Sequence, residues 1–209
     1  MFVKKLVAPL ALMTILALAS VSAGAQNTRI VEFGITSVNL SSGFLQALQT
    51  LKVKPGVIAP TRLSGTMVNF PVIGGAFDLD TALGNIEHSG GLTLTASGTV
   101  LGIQNFTIDT TGKTPEITGL AVLNGAVVGR ITLFDLVLPS GFKLPVQPYF
   151  GCVLYLNGVA VNLNTNAAAT LNQIFGTTAF TGSLNVGTAT VEALTAAENA
   201  SGSGCLYAQ

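Results

Sequence analysis

A chain of 209 residues with nine Lys and Arg against nine Asp and Glu has no formal net charge, and only 9% of its residues are charged. With no basic run anywhere, it lacks the electrostatic handle for nucleic acid or for an anionic membrane surface. Nearly half of the chain is hydrophobic, yet tryptophan is absent and much of the polar remainder is Thr, Asn, Ser and Gly, side chains that suit strands and turns better than exposed helices.

Residues 1–25 set Lys4 and Lys5 before the apolar run Leu6 to Ala19 and end in Ala23-Gly24-Ala25, the charge, core and small-residue order of a secretory signal peptide. The mature chain then begins at Gln26 and forms a single secreted, β-rich domain over residues 26–209, with seven basic residues against nine acidic ones. No lipid-anchor cysteine follows the apolar core, and no other stretch reaches the roughly 20 apolar residues that span a bilayer. No membrane span is expected in the exported product, and its location is extracellular, cell envelope or periplasm.

From Ser37 to Leu51, Leu40, Phe44, Leu45, Leu48 and Leu51 fall at helical spacing, with Asn39, Ser41 and Ser42 available as caps, which predicts a short amphipathic helix. Pro55-Gly56 and Pro60 break the chain before a sheet that starts near Arg62. In GLTLTAS, Leu92, Leu94 and Ala96 alternate with Thr93, Thr95 and Ser97, and QNFTIDT alternates in the same way about Phe106 and Ile108. Both read as half-buried strands. Asn124-Gly125 and Asn157-Gly158 each sit between apolar runs, and Asn-Gly is the strongest short-range hairpin signal because both residues tolerate positive φ. NTNAAATLNQIFG predicts a second helix, with Asn164 or Thr165 as cap, Ala167, Ala168, Leu171 and Ile174 as its stripe and Gly176 as its stop. A last strand, NVGTATVEAL, follows. The fold class is mainly β: an antiparallel β-sandwich or partly open barrel of about eight to ten strands with two short helices. Cys152 and Cys205 meet an oxidising compartment, so a disulfide is expected to tie down the Gly/Ser-rich tail ASGSGCLYAQ.

Catalytic motifs are mostly missing. Gly112-Lys113-Thr114 ends like a phosphate-binding loop, but Thr107 stands where that loop needs its first glycine, and Pro115 blocks the helix that would follow. A serine hydrolase would have to use His88, the only histidine, and Ser89 beside it points to the opposite face of a strand. One histidine and two bonded cysteines make no zinc site, so no metal is expected. Asp78 and Asp80, two apart in GAFDLD, share one strand face and offer a carboxylate pair for a hydrolase, unless that face is simply wet. His88 is either a surface or hydrogen-bonded histidine at a strand start, after Glu87, or a ligand-side group, with Ser89, Gly90 and Gly91 allowing close approach to the backbone.

The segment order FPVIGGAFD, GNIEHSGGLTLT, a strand ending in FTIDT, NGAVVGRITLFDL and LNTNAAATLNQIFGTTAFTGSLNVGTATVEA resembles the HtaA-type domain of secreted bacterial haem-uptake proteins over about residues 66–192. Glu87 stands where that pattern has a glycine before the histidine, and Asn164 where it has a threonine. The resemblance implies an exported, mostly β domain that binds haem through a tyrosine near the N-terminal helix, supported by a histidine at about the place of His88. In GFLQALQTL there is Phe44 but no tyrosine; Tyr149, Tyr155 and Tyr207 lie far downstream.

Together these features predict a non-enzymatic binding or surface-interaction module with no catalytic residue. Its partner is an unidentified surface partner or a small apolar ligand, at a ligand site of His88, Ser89 and Gly90. No cofactor is required by the sequence. Haem or porphyrin is the alternative ligand, and a hydrolase using Asp78 and Asp80 the alternative activity.

Overall fold

The computed structural model describes residues 27–197. The expected signal peptide lies outside the described residues, as do Cys205 and its pairing with Cys152.

The described chain runs β1 (Thr28–Leu40), α1 (Ser42–Thr50), β2 (Lys54–Ile58), β3 (Arg62–Ser64), β4 (Met67–Asp78), β5 (Gly84–His88), β6 (Gly91–Ala96), β7 (Thr99–Asp109), β8 (Glu116–Leu123), β9 (Ala126–Val137), β10 (Val153–Leu163), α2 (Thr165–Phe175) and β11 (Asn185–Ala197). Every ladder is antiparallel. Eight strands close on themselves in the order β7-β5-β4-β1-β11-β10-β9-β8 and back to β7, while β6, β2 and β3 are attached outside that ring. Of the two architectures expected, the barrel forms, and it is closed, so most hydrogen-bonding edges disappear.

Closure sorts the side chains. Val31, Val68, Phe77, Ile86, Leu154 and Leu163 fill the interior. On the outer wall Ser37 donates to Asn69 (2.7 Å), and the Arg130 guanidinium reaches Thr107, Thr118 and the carbonyl of Asn105. No helix among the described residues is long and apolar enough to cross a membrane.

The first helix is shorter than the sequence predicts. Residues 37–40 finish β1, and α1 starts at Ser42 because Ser41 caps it, accepting from the Phe44 amide at 3.0 Å. The Ser41 hydroxyl also donates to the Asn185 carbonyl at 2.6 Å, which fastens the helix to the start of β11. Strand β2 runs through Pro55-Gly56, which the sequence reads as a break; proline is tolerated there because β2 is an edge with a ladder only to β6.

The two Asn-Gly pairs part company. Asn124 and Gly125, at φ 51° and 85°, make the tight β8–β9 hairpin as expected. Asn157-Gly158 does not turn the chain. Asn157 pairs with Thr190 and Val159 with Ala189, so Gly158 is the extra residue of a bulge inside β10, at φ 79°.

The second helix matches its sequence signals. Asn164 accepts from the Asn166 amide (2.9 Å) and donates to Asp135 on β9 (2.8 Å), and Gly176 ends the helix in the left-handed conformation. Replacing Asn164 with Ala removes both bonds and is expected to cost about 1–2 kcal/mol, read as a lower urea midpoint at unchanged slope.

Between β4 and β7 the wall has two halves. In one, β5 bridges them, pairing with Val72–Phe77 of β4 and Thr107–Asp109 of β7. In the other, β4 pairs with β3 and β7 pairs with β6, which carries β2. No ladder joins β2 to β3 among the described residues, so the two halves meet at the break between β5 and β6, where His88, Ser89 and Gly90 lie.

Candidate functional site

His88 is the last residue of β5, paired with Val72 across the ladder to β4. Alternation along β5 turns Ile86 and His88 inward and Glu87 outward. The imidazole is 3% exposed. Its Nδ1 lies 3.3 Å from the Phe106 carbonyl oxygen, and a carbonyl can only accept, so Nδ1 carries the hydrogen. Nε2 is then the acceptor, and the Thr36 hydroxyl donates to it at 2.7 Å.

The surrounding wall is apolar. Val38, Val68, Phe70, Leu92 and Phe106 face a cavity of about 50 Å³ that His88 and Thr36 also line. Phe70 and Phe106 pack edge to face at 5.2 Å. Burial in this shell pushes the imidazole down to about 4, against smaller upward effects of the Phe106 and Ile86 backbones. At neutral pH the group is therefore an uncharged imidazole with both nitrogens bonded. It can bind a further ligand only if the Thr36 hydroxyl turns away. A second void of about 50 Å³ shares Leu40, Val68, Leu92 and Phe134 with the first. Both are small beside ligand pockets of roughly 300–1,000 Å³.

Ser89 and Gly90 do not line the cavity. They form the break between β5 and β6: the Ser89 amide donates to the Pro71 carbonyl (3.0 Å), and the Gly90 carbonyl accepts from the Asn105 amide (2.8 Å). Thr36 is the site residue that sequence reasoning missed. It sits 52 positions before His88 on a strand the sequence did not announce, and no spacing rule connects them.

The carboxylate pair is not on one strand face. Strand β4 ends at Asp78, whose Oδ1 accepts from the Asp80 amide (3.1 Å), the Thr81 amide (2.8 Å) and the Thr81 hydroxyl (2.7 Å). Asp80 lies in the resulting turn and accepts from the Asn27 side chain at 3.3 Å. The Thr81 hydroxyl, followed by the two turn amides and Thr28, holds the Asp78 carboxyl below its ordinary value despite some desolvation. A carboxylate tied up in this way organises a turn. Asp78→Ala is expected to lower stability by about 1–2 kcal/mol, measured by urea unfolding at neutral pH. Among the described residues no three His, Cys, Asp or Glu side chains gather to hold a metal ion.

Apolar and aromatic side chains stand on the outside. Phe33 and Ile35 of β1 and Ile73 of neighbouring β4 are exposed, Ile73 by 57%. At the start of β10, Tyr149 and Tyr155 pack edge to face at 5.1 Å. Helix α1 carries no tyrosine; its buried residues are Phe44 and Leu48.

A closed antiparallel barrel with two capped helices and one inward histidine defines a fold seen in solved structures. The C-terminal domain of HtaA from Corynebacterium glutamicum is similar with a TM-score of 0.60 at 16% identity, over 80% of this chain and 99% of that domain. The N-terminal domain of the same protein gives 0.54 at 14% identity, over 77% and 97%. The haem-binding protein HtaB of that organism gives 0.53 at 12% identity, over 81% and 96%. The fold is thus of the HtaA type, as the segment order implies. No family model matches the chain, and no curated protein matches it in sequence.

Proposed function

We propose that this chain is an exported, non-enzymatic binding module of HtaA-type fold, with residues 1–25 as its leader, residues 26–209 as its working domain and Cys152 paired with Cys205. The observation that carries the reading is where the reactive groups are spent. His88 is neutral and bonded at both nitrogens, and Asp78 holds a turn, so neither serves as acid, base or nucleophile. What the barrel does offer outward is the apolar band of Phe33, Ile35 and Ile73, and patches of this kind mark interaction surfaces. Purified protein is expected to turn over no ester, peptide or glycoside reporter. Turnover abolished by Asp78→Ala or Asp80→Ala would replace the reading with a hydrolase.

Haem is the second reading, supported by the similarity to haem-binding HtaB and by the inward histidine. Tested on the residues present, a tyrosine-held haem does not fit: α1 has no tyrosine, and Nε2 of His88 is occupied by Thr36. Unless the Thr36 hydroxyl turns away from Nε2, a porphyrin in this cavity would be held by its apolar ring alone. Titration with haemin and, in parallel, with iron-free protoporphyrin IX separates the cases. The module reading expects the two to behave alike. Haemin held many-fold tighter, with a Soret band that weakens in His88→Ala, would make haem the ligand.

A further inference from the structure

We propose that the aromatic surface at the start of β10 is a carbohydrate site, where a neutral oligosaccharide lays one sugar ring against Tyr149 and Tyr155 and continues over Phe150. The proposal deepens the binding-module reading by naming a ligand class. It shares no residue with the His88 cavity or with the outer band of Phe33, Ile35 and Ile73. The platform is fixed by the fold. Tyr149 and Val153 exchange two backbone hydrogen bonds, each of 2.9 Å, and close a hairpin with Phe150 and Gly151 at its tip, at φ 51° and 77°. Glycine or asparagine suits a position of that kind, yet Phe150 occupies it and is 97% exposed. Tyr149 is 56% exposed, and Tyr155 braces it edge to face with the ring planes at 89°. The loop before the hairpin is pinned as well. The amide of buried Val146 donates to the Leu79 carbonyl at 2.6 Å, and the Phe142 amide donates to the Pro139 carbonyl at 2.9 Å. A surface held in this way loses little freedom when a ligand settles on it.

Beside the tyrosine pair runs a groove of about 280 Å³, lined also by Phe142, Lys143, Gln147 and Asn157. Pockets for drug-sized ligands begin at roughly 300 Å³, so this one takes part of a chain whose remainder stays in solvent. Its polar groups are open for use. Asn157 Oδ1 accepts from the Thr190 hydroxyl at 2.7 Å, which leaves the amide nitrogen to donate, and Gln147 Nε2 donates to the Pro145 carbonyl at 3.4 Å, which leaves the amide oxygen to accept. Among the described residues the Tyr149 and Tyr155 hydroxyls and the Lys143 ammonium have no hydrogen-bond or ion-pair partner. Aromatic faces ringed by donors and acceptors are the complement of a sugar, which has an apolar C–H face and a rim of hydroxyls that each donate and accept. A purely apolar ligand would instead bury the Lys143 ammonium and both amides without partners. A polyanion would meet a single cation, since Lys143 is the one charged residue among those lining the groove.

The test is saturation-transfer NMR on the purified full chain, with chitotetraose and cellotetraose as probes and with oligogalacturonate and indole as the acidic and apolar comparisons. Irradiating the aromatic protons is expected to pass saturation to the C–H protons of at least one neutral tetramer. Its affinity should fall several-fold in Tyr149→Ala and in Phe150→Gly, and much less in Tyr149→Phe, which keeps the ring face and loses only the hydroxyl. Glycine accepts the left-handed turn, so the urea midpoint of Phe150→Gly should not drop, and weaker binding there reports the lost platform instead of a damaged fold. The proposal is overturned if neither neutral tetramer receives saturation, if only oligogalacturonate or indole does, or if Tyr149→Ala and Phe150→Gly bind as the parent does. Each of those results leaves the binding-module reading standing; cleavage of a tetramer during the measurement overturns that reading instead.

Discussion

Between pH 6.5 and pH 4 the protein is expected to lose about 3 kcal/mol of stability through His88 alone, since burial lowers the imidazole from 6.5 to about 4 and each unit is worth about 1.4 kcal/mol. The sign follows from which state holds the proton. In that window the unfolded chain takes up a proton at His88 and the folded chain does not, because a charged imidazole would sit among Phe70, Phe106 and Val68. The contribution is whole above pH 6.5, falls as the pH drops towards 4, and changes no further once both states are protonated. Asp78 acts separately: its carboxyl lies below the ordinary 3.8, so its share of stability is lost only at still lower pH. Urea midpoints taken at half-unit steps should slope through the window in the parent protein. His88→Gln keeps an amide donor and acceptor but cannot titrate, and its midpoints should be flat there. Parallel slopes in the two proteins would show that the imidazole is not the buried neutral group described.

Gly90→Ala is the second large effect, expected to cost about 2–4 kcal/mol. Gly90 sits at φ 78°, and a Cβ there would meet the Thr61 hydroxyl at 2.4 Å, the Thr61 amide nitrogen at 2.7 Å and the Ile58 carbonyl at 2.8 Å. Two of those atoms are backbone, so relief requires the β2–β3 connection to move away from the break between β5 and β6. Gly98→Ala is the control, with φ 82° and nothing within 4 Å; it carries the conformational cost without the collision. Adding Thr61→Ala to Gly90→Ala removes the hydroxyl, which has no hydrogen-bond partner in its buried position, together with the γ-methyl, but leaves the two backbone atoms in place, and should recover only part of the loss. If Gly90→Ala and Gly98→Ala unfold at the same denaturant concentration, the close approach is not what fixes a glycine at residue 90.

How much of this was legible in the sequence depended on how local the cause was. Helix α2 declared itself because its cap, apolar stripe and stop all lie within thirteen residues. The Asn124-Gly125 hairpin did so for the same reason. Asn157-Gly158 has the same local chemistry, but the run of β11 alongside makes its positive φ a bulge instead of a turn, and that partner lies some thirty residues away. Strand β1 was hidden twice. Its outward side carries Ile30, Phe33 and Ile35, so apolar residues do not alternate with polar ones, and a bulge between Val31 and Phe33 shifts the period. Leu40, at the end of that strand, also falls at helical spacing from Phe44 and was drawn into the helix. The site divides in the same way. His88 could be singled out as the lone histidine on a strand, whereas Thr36, Phe106 and the size of the cavity exist only once distant strands meet. Asp78 and Asp80 looked paired because sequence spacing alone does not show where a strand ends.

The ring of strands described above also sets a timetable. Its closing ladder pairs Arg29 with Ala197, the first described strand with the last. Contacts of such long separation make for slow folding, in the range of milliseconds to seconds for β domains. A thread emerging N-terminus first can lay β4 against one side of β1, but the other side has no neighbour until β11 arrives. The barrel therefore cannot shut during synthesis. In an exported module of the kind proposed above, that delay would keep the chain in a transportable state until its last stave is delivered.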